Sequence, residues 1–500
     1  MYVMSLSSAA STTQSGLSTI TAEIAALTRN ISGATDTTVY SRKIANVATT
    51  SSGAQVVSLT RASNQAVFDN VLSATAATAA QQAISAGLDA LNQTIGDVSG
   101  STSGSASTAT SPAALISSFD NALQTYSASP SDSTAAAAAV AAAKSLVSGM
   151  NSASVTVQQA RETADSGMAS SVAAINSLLT QFQTANQQVV SGLASGADVT
   201  DAQDQRDTIL QQLSQQIGIS TTAGSNGEMS IYGDSGVTLF QGGVARTLTF
   251  EATHTYTAST AGNAVYVDGA AITGGSATMP IASGNLAGLA TLRDTIAPTY
   301  QTQLDNMAGA LINSFAESDQ AGAGPSLPGL FTTLGATALP GANGGLASQI
   351  SVNASVDPSQ GGNANLLRDG GISDTANTNY TYNTSGASSF TGRLSQLTSN
   401  LSATQTFSSA GGIATSASLS NYAAASVSWL EAERSSVSSS SSYQSTLLST
   451  ASTALSNATG VNINDEMSKM LDLEQSFSAS AKLLTSINDM FNALAAAIIG

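Results

Sequence analysis

Residues 6–31 read LSSAASTTQSGLSTITAEIAALTRNI, and residues 470–498 read MLDLEQSFSASAKLLTSINDMFNALAAAI. In the first stretch Leu6, Ala10, Thr13, Leu17, Ile20, Ile24, Leu27 and Ile31 recur at alternating steps of four and three. That is a heptad seam with one weak position, Thr13, and as a helix it would run roughly 39 Å. In the second, Met470, Leu473, Phe477, Ser480, Leu484, Ile487, Phe491, Leu494 and Ile498 alternate by three and four, and Ser480 is the one polar position. Asn464-Asp465-Glu466, just ahead of this run, sets acidic groups at the positive end of the helix dipole. Each seam is too narrow to bury itself. Both helices could lie on a globular body as ordinary surface helices, or they could pair as a coiled coil whose seams also meet neighbouring subunits. Periodicity alone leaves both readings open.

Between these ends the chain changes character twice. Residues 61–96 run through Val67, Val71, Leu72, Ile84, Leu88, Leu91 and Ile95 with few helix breakers, and a Ser/Thr/Gly run at 99–111 reads as a loop. Helical pattern continues over 113–127, 132–193 and about 199–216. From 218 to 285, short β-favouring runs (Met229–Tyr232, Val237–Phe240, Thr247–Phe250, Ala264–Val267) alternate with the turn signals Asn226-Gly227, Gly242-Gly243 and Asp268-Gly269. Helical pattern resumes over 286–317 through Leu292, Ile296, Tyr300, Leu304, Met307, Leu311 and Phe315, and again from about 390 to 456. The expected fold is mainly α with a small antiparallel β insert, the terminal helices paired as a coiled coil in an elongated multi-domain subunit. The expected domains are a terminal unit of 1–50 with 457–500, a helical body of 51–217 with 286–456, and a β-unit at 218–285. A loop-rich segment at 321–390, full of Gly, Pro, Asn and Ser, leaves little room for an outer domain.

Composition narrows the function classes. The 500 residues carry 14 Lys and Arg against 31 Asp and Glu, for a net charge of −17, with no basic stripe. This balance argues against nucleic acid as a partner, because phosphate binding needs clustered cations. Cysteine is absent, which removes disulfides, thiolate metal sites and cysteine nucleophiles. The first ten residues, Met1 to Ala10, lack a basic segment and an apolar core, so no cleavable signal is expected there, and translation could start at Met1 or Met4. No run approaches 18 consecutive apolar residues, so no membrane span is expected.

Local motifs then become recognisable. Asn30-Ile31-Ser32-Gly33-Ala34, followed by Tyr40-Ser41-Arg42-Lys43, resembles the segment after the first helix of flagellar rod, hook and hook-associated proteins. The family pattern there has a short Thr-Pro-Gly turn. This chain instead has Thr35-Asp36-Thr37-Thr38-Val39, one residue longer and without Pro-Gly, so the loop geometry does not carry over. Gly460-Val461-Asn462-Ile463-Asn464-Asp465-Glu466-Met467 is similar to the segment opening the family's last helix. Three internal segments resemble the hook-associated protein 1 family in particular. They are Asp204-Gln205-Arg206-Asp207 with Leu210 and Leu213, Gly284–Leu289 with Leu292-Arg293-Asp294, and Val352-Asn353 to Arg368-Asp369-Gly370-Gly371.

The resemblance implies an inner coiled coil of the two terminal helices, a helical second domain carrying a β-element, and a structural role at the hook–filament junction. It implies as partners the hook protein, hook-associated protein 3, further copies of the chain, and a cytosolic export chaperone on the C-terminal helix. It also implies export to the extracellular flagellum without a cleaved signal. The residues expected to carry assembly are those of the seams: Leu6, Leu17, Ile20, Ile24, Leu27, Ile31, Met470, Leu473, Phe477, Leu484, Ile487, Phe491 and Leu494. Another axial subunit, such as hook-associated protein 3 or a flagellin, is the nearest alternative. A secreted adhesin or surface-layer protein shares the Ala/Ser/Thr bias but has no need of matched seams at both ends.

Enzymatic readings are weaker. Gly233-Asp234-Ser235-Gly236 suggests a nucleophilic serine, yet the chain's one histidine, His254, follows it by 19 residues and Val237 stands where the motif wants glycine. A hairpin turn of type I′ or similar explains the same residues. His254 alone makes no metal site, and no phosphate-cradling glycine loop follows a strand. Asp204, Arg206 and Asp207 read as an ion-paired helix start joining two helices, and Arg42 and Lys43 as partners for nearby acids or for the negative end of the first helix. Trp429 is expected to pack against the first long helices of the body. No catalysis and no cofactor are expected.

Overall fold

The computed structural model describes residues 6–35, 40–51, 53–95, 111–322, 324–334, 336–341 and 344–499. Residues 99–110 of the expected Ser/Thr/Gly loop, the turn residues 36–39, Met1, Met4 and the side chain of Ile498 lie outside that set. The architecture is mainly helical with small antiparallel sheets, as the sequence pattern predicts.

The chain opens with α1 (Leu6–Gly33), then a β-hairpin of β1 (Lys43–Thr50) and β2 (Gly53–Arg61). The body helices follow: α2 (Gln65–Asn92), α3 (Pro112–Ala128), α4 (Ser133–Ser195) and α5 (Thr200–Gln216). At 63 residues α4 is the spine, roughly 95 Å long. The Asp132 carboxylate caps its start by accepting from the Thr134 and Ala135 amides, and Gly196 ends it in the left-handed region at φ 73°.

The β-unit holds two sheets. In one, β3 (Ile219–Ala223), β4 (Met229–Gly233), β5 (Thr238–Gln241) and β6 (Val244–Ala245) follow in sequence order. In the other are β7 (Leu248–Thr249), β8 (Tyr266–Val267) and β9 (Ala270–Ala271). Gly242-Gly243 and Asp268-Gly269 each form a two-residue hairpin connection with both residues at positive φ, the type I′ geometry that matches strand twist. Gly233–Gly236 is different. Asp234 and Ser235 keep negative φ, Gly236 donates to the Gly233 carbonyl, and only Gly236 turns left-handed, so this is a type I turn with a glycine after it. The Asp234 carboxylate accepts from the Ser283 hydroxyl at 2.8 Å, and His254 is exposed, which leaves Ser235 a turn residue.

After the β-unit come α6 (Asn285–Thr291), a π-helical turn at Leu292–Ile296 and α7 (Ala297–Ser314). Among the described residues the 321–390 region holds short elements, including β10 (Phe331–Thr333), α8 (Leu346–Gln349), β11 (Ile350–Val352) and α9 (Leu366–Asp369). Then α10 (Gly392–Ser402), β12 (Gln405–Thr406) and β13 (Ser416–Ala417) lead into α11 (Leu419–Thr459) and α12 (Ile463–Ile499).

Two apolar cores share α4. The N-terminal half of α4 packs with α3, α7 and the 321–390 region, where Phe119, Phe315 and Phe331 meet with ring centroids 5.1–5.4 Å apart. Its C-terminal half packs with α5 and the β-unit around Phe182 and Phe240, 5.0 Å apart. Trp429 of α11 is half-buried and stacks on Tyr300 of α7 at 6.5 Å, so its aromatic partner comes from a later helix than the sequence suggests.

The β structure is not confined to the insert. Residues 43–61 form a hairpin lying on α1, where the sequence reading expects no strand. Its tip is fixed to α1 by the Ser15 and Thr19 hydroxyls, which both donate to the Ala54 carbonyl at 2.6 and 2.7 Å. The physical reason is that β-branched and small residues on this short ribbon are satisfied by burying one face on α1, an advantage no local pattern reveals.

Candidate assembly site

The terminal helices lie against each other. They run antiparallel, because Asn30 near the end of α1 meets Glu466 at the start of α12, while Glu23 borders the same groove as Asp472 and Leu473. Of the seam residues expected to carry assembly, Leu27 and Ile487 are buried. Leu6, Leu17, Ile20, Ile24, Ile31, Met470, Leu473, Leu484 and Phe491 are half-buried, and Phe477 and Leu494 remain exposed. In a single chain the seam is thus closed only in part. Ile463, Met467, Leu471, Leu483 and Met490 of α12 are exposed as well.

What fixes this pair is polar, and the heptad pattern does not announce it. Asn30 is fully buried, and its side-chain amide uses both ends. Its Nδ2 donates to the Lys43 carbonyl at 2.9 Å and to Glu466 Oε2 at 2.8 Å. Its Oδ1 accepts from the Lys43 amide at 2.8 Å and from the Tyr40 hydroxyl at 3.1 Å. Every donor and acceptor of that amide is engaged, the condition under which a buried polar group stops being a liability. Next to it the Arg42 amide donates to the Thr459 carbonyl at 2.8 Å, tying the hairpin to the last turn of α11. Burial, reinforced by the negative charges of Asp204, Asp201 and Glu466 and opposed by Arg29, pushes the Tyr40 hydroxyl up to about 12.

An ion-pair cluster then joins this unit to the body. Lys43, whose side chain is fully buried, pairs with Asp204 of α5 and lies 3.4 Å from Asp201. Arg61, closing the hairpin, reaches Asp204 at 3.0 Å and Asp207 at 2.6 Å. Arg29 of α1 reaches Asp198 at 2.9 Å and Asp201 at 2.6 Å. Thus Asp204 and Asp207 serve a hairpin rather than a second helix. Arg206 turns the other way and donates to the Gly227 carbonyl at 2.8 Å, holding the β-unit to α5. Lys43 finds acidic partners, while the Arg42 guanidinium forms no ion pair or hydrogen bond among the described residues.

The segments after α1, opening α5 and opening α12 therefore converge on one junction, though Asn30 and Glu466 are 436 positions apart. The sequence reading gives Asn30 and Tyr40 no individual role, and Glu466 only that of an acidic group at the start of the last helix. The available signal was their position inside recognisable motifs at the ends of long helices. Among the described residues there is no cluster of three or more His, Asp and Glu able to hold a metal, and no helix long and apolar enough to cross a membrane.

Comparisons with known proteins find matches in two parts of the chain. Residues 102–329 match the flagellar hook-associated protein FlgK helical domain, and residues 452–497 match the flagellar basal body rod FlgEFG protein C-terminal domain. No curated protein matches the chain. Among solved structures, the flagellar hook junction protein FlgK from Burkholderia pseudomallei is 22% identical with a TM-score of 0.41, over 53% of this chain and 46% of that one. This chain therefore spans about half the length of that relative. The body of the chain is thus similar to the helical domain of flagellar hook-associated proteins, and its last two helices to the C-terminal domain of flagellar rod proteins.

Proposed function

We propose that the chain is a structural subunit of the bacterial flagellum, an adaptor at the hook–filament junction, that assembles through its terminal helices. The observation carrying this reading is the terminal pair itself. A buried polar clasp orients two long helices, and yet apolar side chains such as Phe477 and Leu494 stay exposed along them. A monomer has no use for such a surface, whereas a head-to-tail lattice buries it at each repeat. The family matches to a hook-associated helical domain and an axial C-terminal domain point the same way and give the adhesin reading no support.

In this reading the chain acts without catalysis or cofactor. Its partners are the hook protein, hook-associated protein 3 and further copies of itself, with a cytosolic export chaperone holding the C-terminal helix before assembly. Its place is the extracellular flagellum, reached without a cleaved signal. The proposed domains are the terminal unit, the helical body, the β-unit at 218–285 and the loop-rich 321–390 segment. We extend the terminal unit from residue 50 to Arg61, because a boundary at 50 would separate the two strands of one hairpin.

The test is incorporation into flagella of cells whose sole copy is Leu17→Asp or Leu484→Asp. Both should be absent from isolated flagella, while circular dichroism of the purified variants keeps the helical signal of the body. Normal incorporation of either would overturn the reading.

A further inference from the structure

Between α1, β1 and α12 lies a groove of about 350 Å³, room for roughly a dozen waters at about 30 Å³ each. Its apolar floor is Ala26, Leu27, Ile44 and Leu473, and its charged lining is balanced, with Arg42, Lys43 and Lys469 against Glu23, Glu466 and Asp472. Lys469 is 3.7 Å from Glu466, whereas the Arg42 guanidinium has no ion pair or hydrogen bond among the described residues, and its Nε is shielded from solvent. In a chain with 31 acidic and 14 basic residues, a cation left unpaired beside an apolar hollow is unusual.

The opposite flank of α12 carries the complement. Ile463, Met467 and Leu471, at steps of four, form an exposed apolar ridge, and Glu474 follows on the same flank. Glu474 is exposed and forms no ion pair or hydrogen bond among the described residues. At about 100° per residue, Met467 and Leu471 lie between about 100° and 160° around the helix from Lys469 and Asp472, which edge the groove. Ridge and groove thus stand back to back on one element. The Arg42 guanidinium at the groove and the Glu474 carboxylate on the ridge face opposite sides of α12 and cannot pair with each other within one chain. A second copy displaced sideways brings the two together, and the contact leaves a fresh ridge and a fresh groove exposed, so it propagates.

We propose that the groove between α1, β1 and α12 receives the Met467–Leu471 ridge of a neighbouring copy of this chain, with Glu474 of that copy paired to Arg42. This rests on the assembly reading above and specifies its contact. Two features favour a copy over an unrelated protein: the matching charge sits beside the matching apolar row on the same helix, and the groove continues directly from the terminal pair.

The experiment is a charge swap in the full-length chain, read as the amount incorporated into isolated flagella. Arg42→Glu sets two carboxylates together and should cut incorporation about tenfold or more, and Glu474→Arg should do the same. The double variant restores the pair in reversed polarity and should return to within about threefold of the parent chain. Neither side chain forms an ion pair or hydrogen bond among the described residues, so circular dichroism should be unchanged. Normal incorporation of the single variants, or a double variant no better than either single, would overturn the pairing. So would single variants lost at export rather than at assembly, seen as chain retained in the cytosol, since that outcome assigns the groove to the chaperone. If the pairing fails while Leu484→Asp still blocks incorporation, the assembly reading survives. If Leu484→Asp is incorporated normally, the assembly reading itself falls.

Discussion

Asn30 and Glu466 share a 2.8 Å hydrogen bond inside the terminal helix pair, with Asn30 fully buried and Glu466 almost so. Glu466 stands one step before Met470 on the α12 seam, so a polar contact occupies a position where an apolar one would bind as well. A buried polar pair in a coiled coil costs stability relative to an apolar one and in return favours one register and one orientation. Here it selects the antiparallel pairing, because Asn30 finds its carboxylate only when the end of α1 meets the start of α12.

Replacing Asn30 by alanine should therefore cost roughly 2–3 kcal/mol, since Glu466 and the Lys43 backbone both lose a buried partner. The loss should be local. Limited proteolysis with mass spectrometry should show new cuts within 6–61 and 463–499, while the body around α4 stays resistant. An unchanged fragment pattern would mean that the apolar seam alone holds the pair.

Tyr40 gives the junction a pH dependence at the alkaline end. Its hydroxyl donates to Asn30, and its value rises from 10.0 to about 12 in the folded chain, chiefly through burial. Folded Tyr40 holds its proton more tightly than unfolded Tyr40. The stabilisation is complete below about pH 10 and is lost as pH climbs through about 12. Urea unfolding of the parent and of Tyr40→Phe, repeated at rising pH, should show a stability gap that shrinks over this window. A constant gap would remove Tyr40 from the junction's titration.

Gly33, at the end of α1, leaves room for the Tyr40 ring. A Cβ at Gly33 would come within 2.5 Å of that ring. Gly33→Ala should displace Tyr40 from Asn30 and weaken the terminal unit by about 1–3 kcal/mol, the range for an overpacked contact. Combining it with Tyr40→Ala, which vacates the space, should add little beyond Tyr40→Ala alone. Additive losses in chemical denaturation would show that the two positions act separately.

In the body, Arg293 on the π-helical turn is fully buried and reaches Asp165 of α4 at 2.5 Å, with Asp294 at 2.8 Å. Asp165 also accepts from the Tyr256 hydroxyl at 2.7 Å. Asp165→Ala leaves a buried guanidinium short of a partner and should cost about 3–5 kcal/mol. The β-unit and the helical body should then lose coherence together, seen as a lowered and broadened thermal transition. A change within about 0.5 kcal/mol would mean that Asp294 alone suffices for Arg293.

The terminal helices, the long body helices and most strands of the β-unit were legible because each advertises its buried face through a period of 3.5, 3.6 or 2. Ile231 and Phe240 or Leu213 and Phe182 are cases where apolar spacing and burial coincide. The hairpin of residues 43–61 was not legible. Thr49, Gln55 and Thr60 are exposed, the buried face is mostly small residues, and its stability comes from α1, a partner that a local window does not contain. The clasp was hidden for a related reason: Asn30 and Glu466 are not among the apolar seam positions, and polar residues on a helix are normally read as solvent-facing. Their burial follows from a partner 436 positions away. The pairing of Asp204 and Asp207 was anticipated, but that it would serve Lys43 and Arg61 depended on the missed hairpin.

The clasp also sets a clock. Because α1 is completed only by α12, a chain that is synthesised or threaded from one end cannot finish its terminal unit until almost its whole length has emerged. The body can close early on nearby contacts, whereas this last closure spans 436 positions and carries the largest loop-entropy cost in the molecule. α1 is thus among the last elements to settle although it precedes the body, and its apolar surface stays open until α12 arrives.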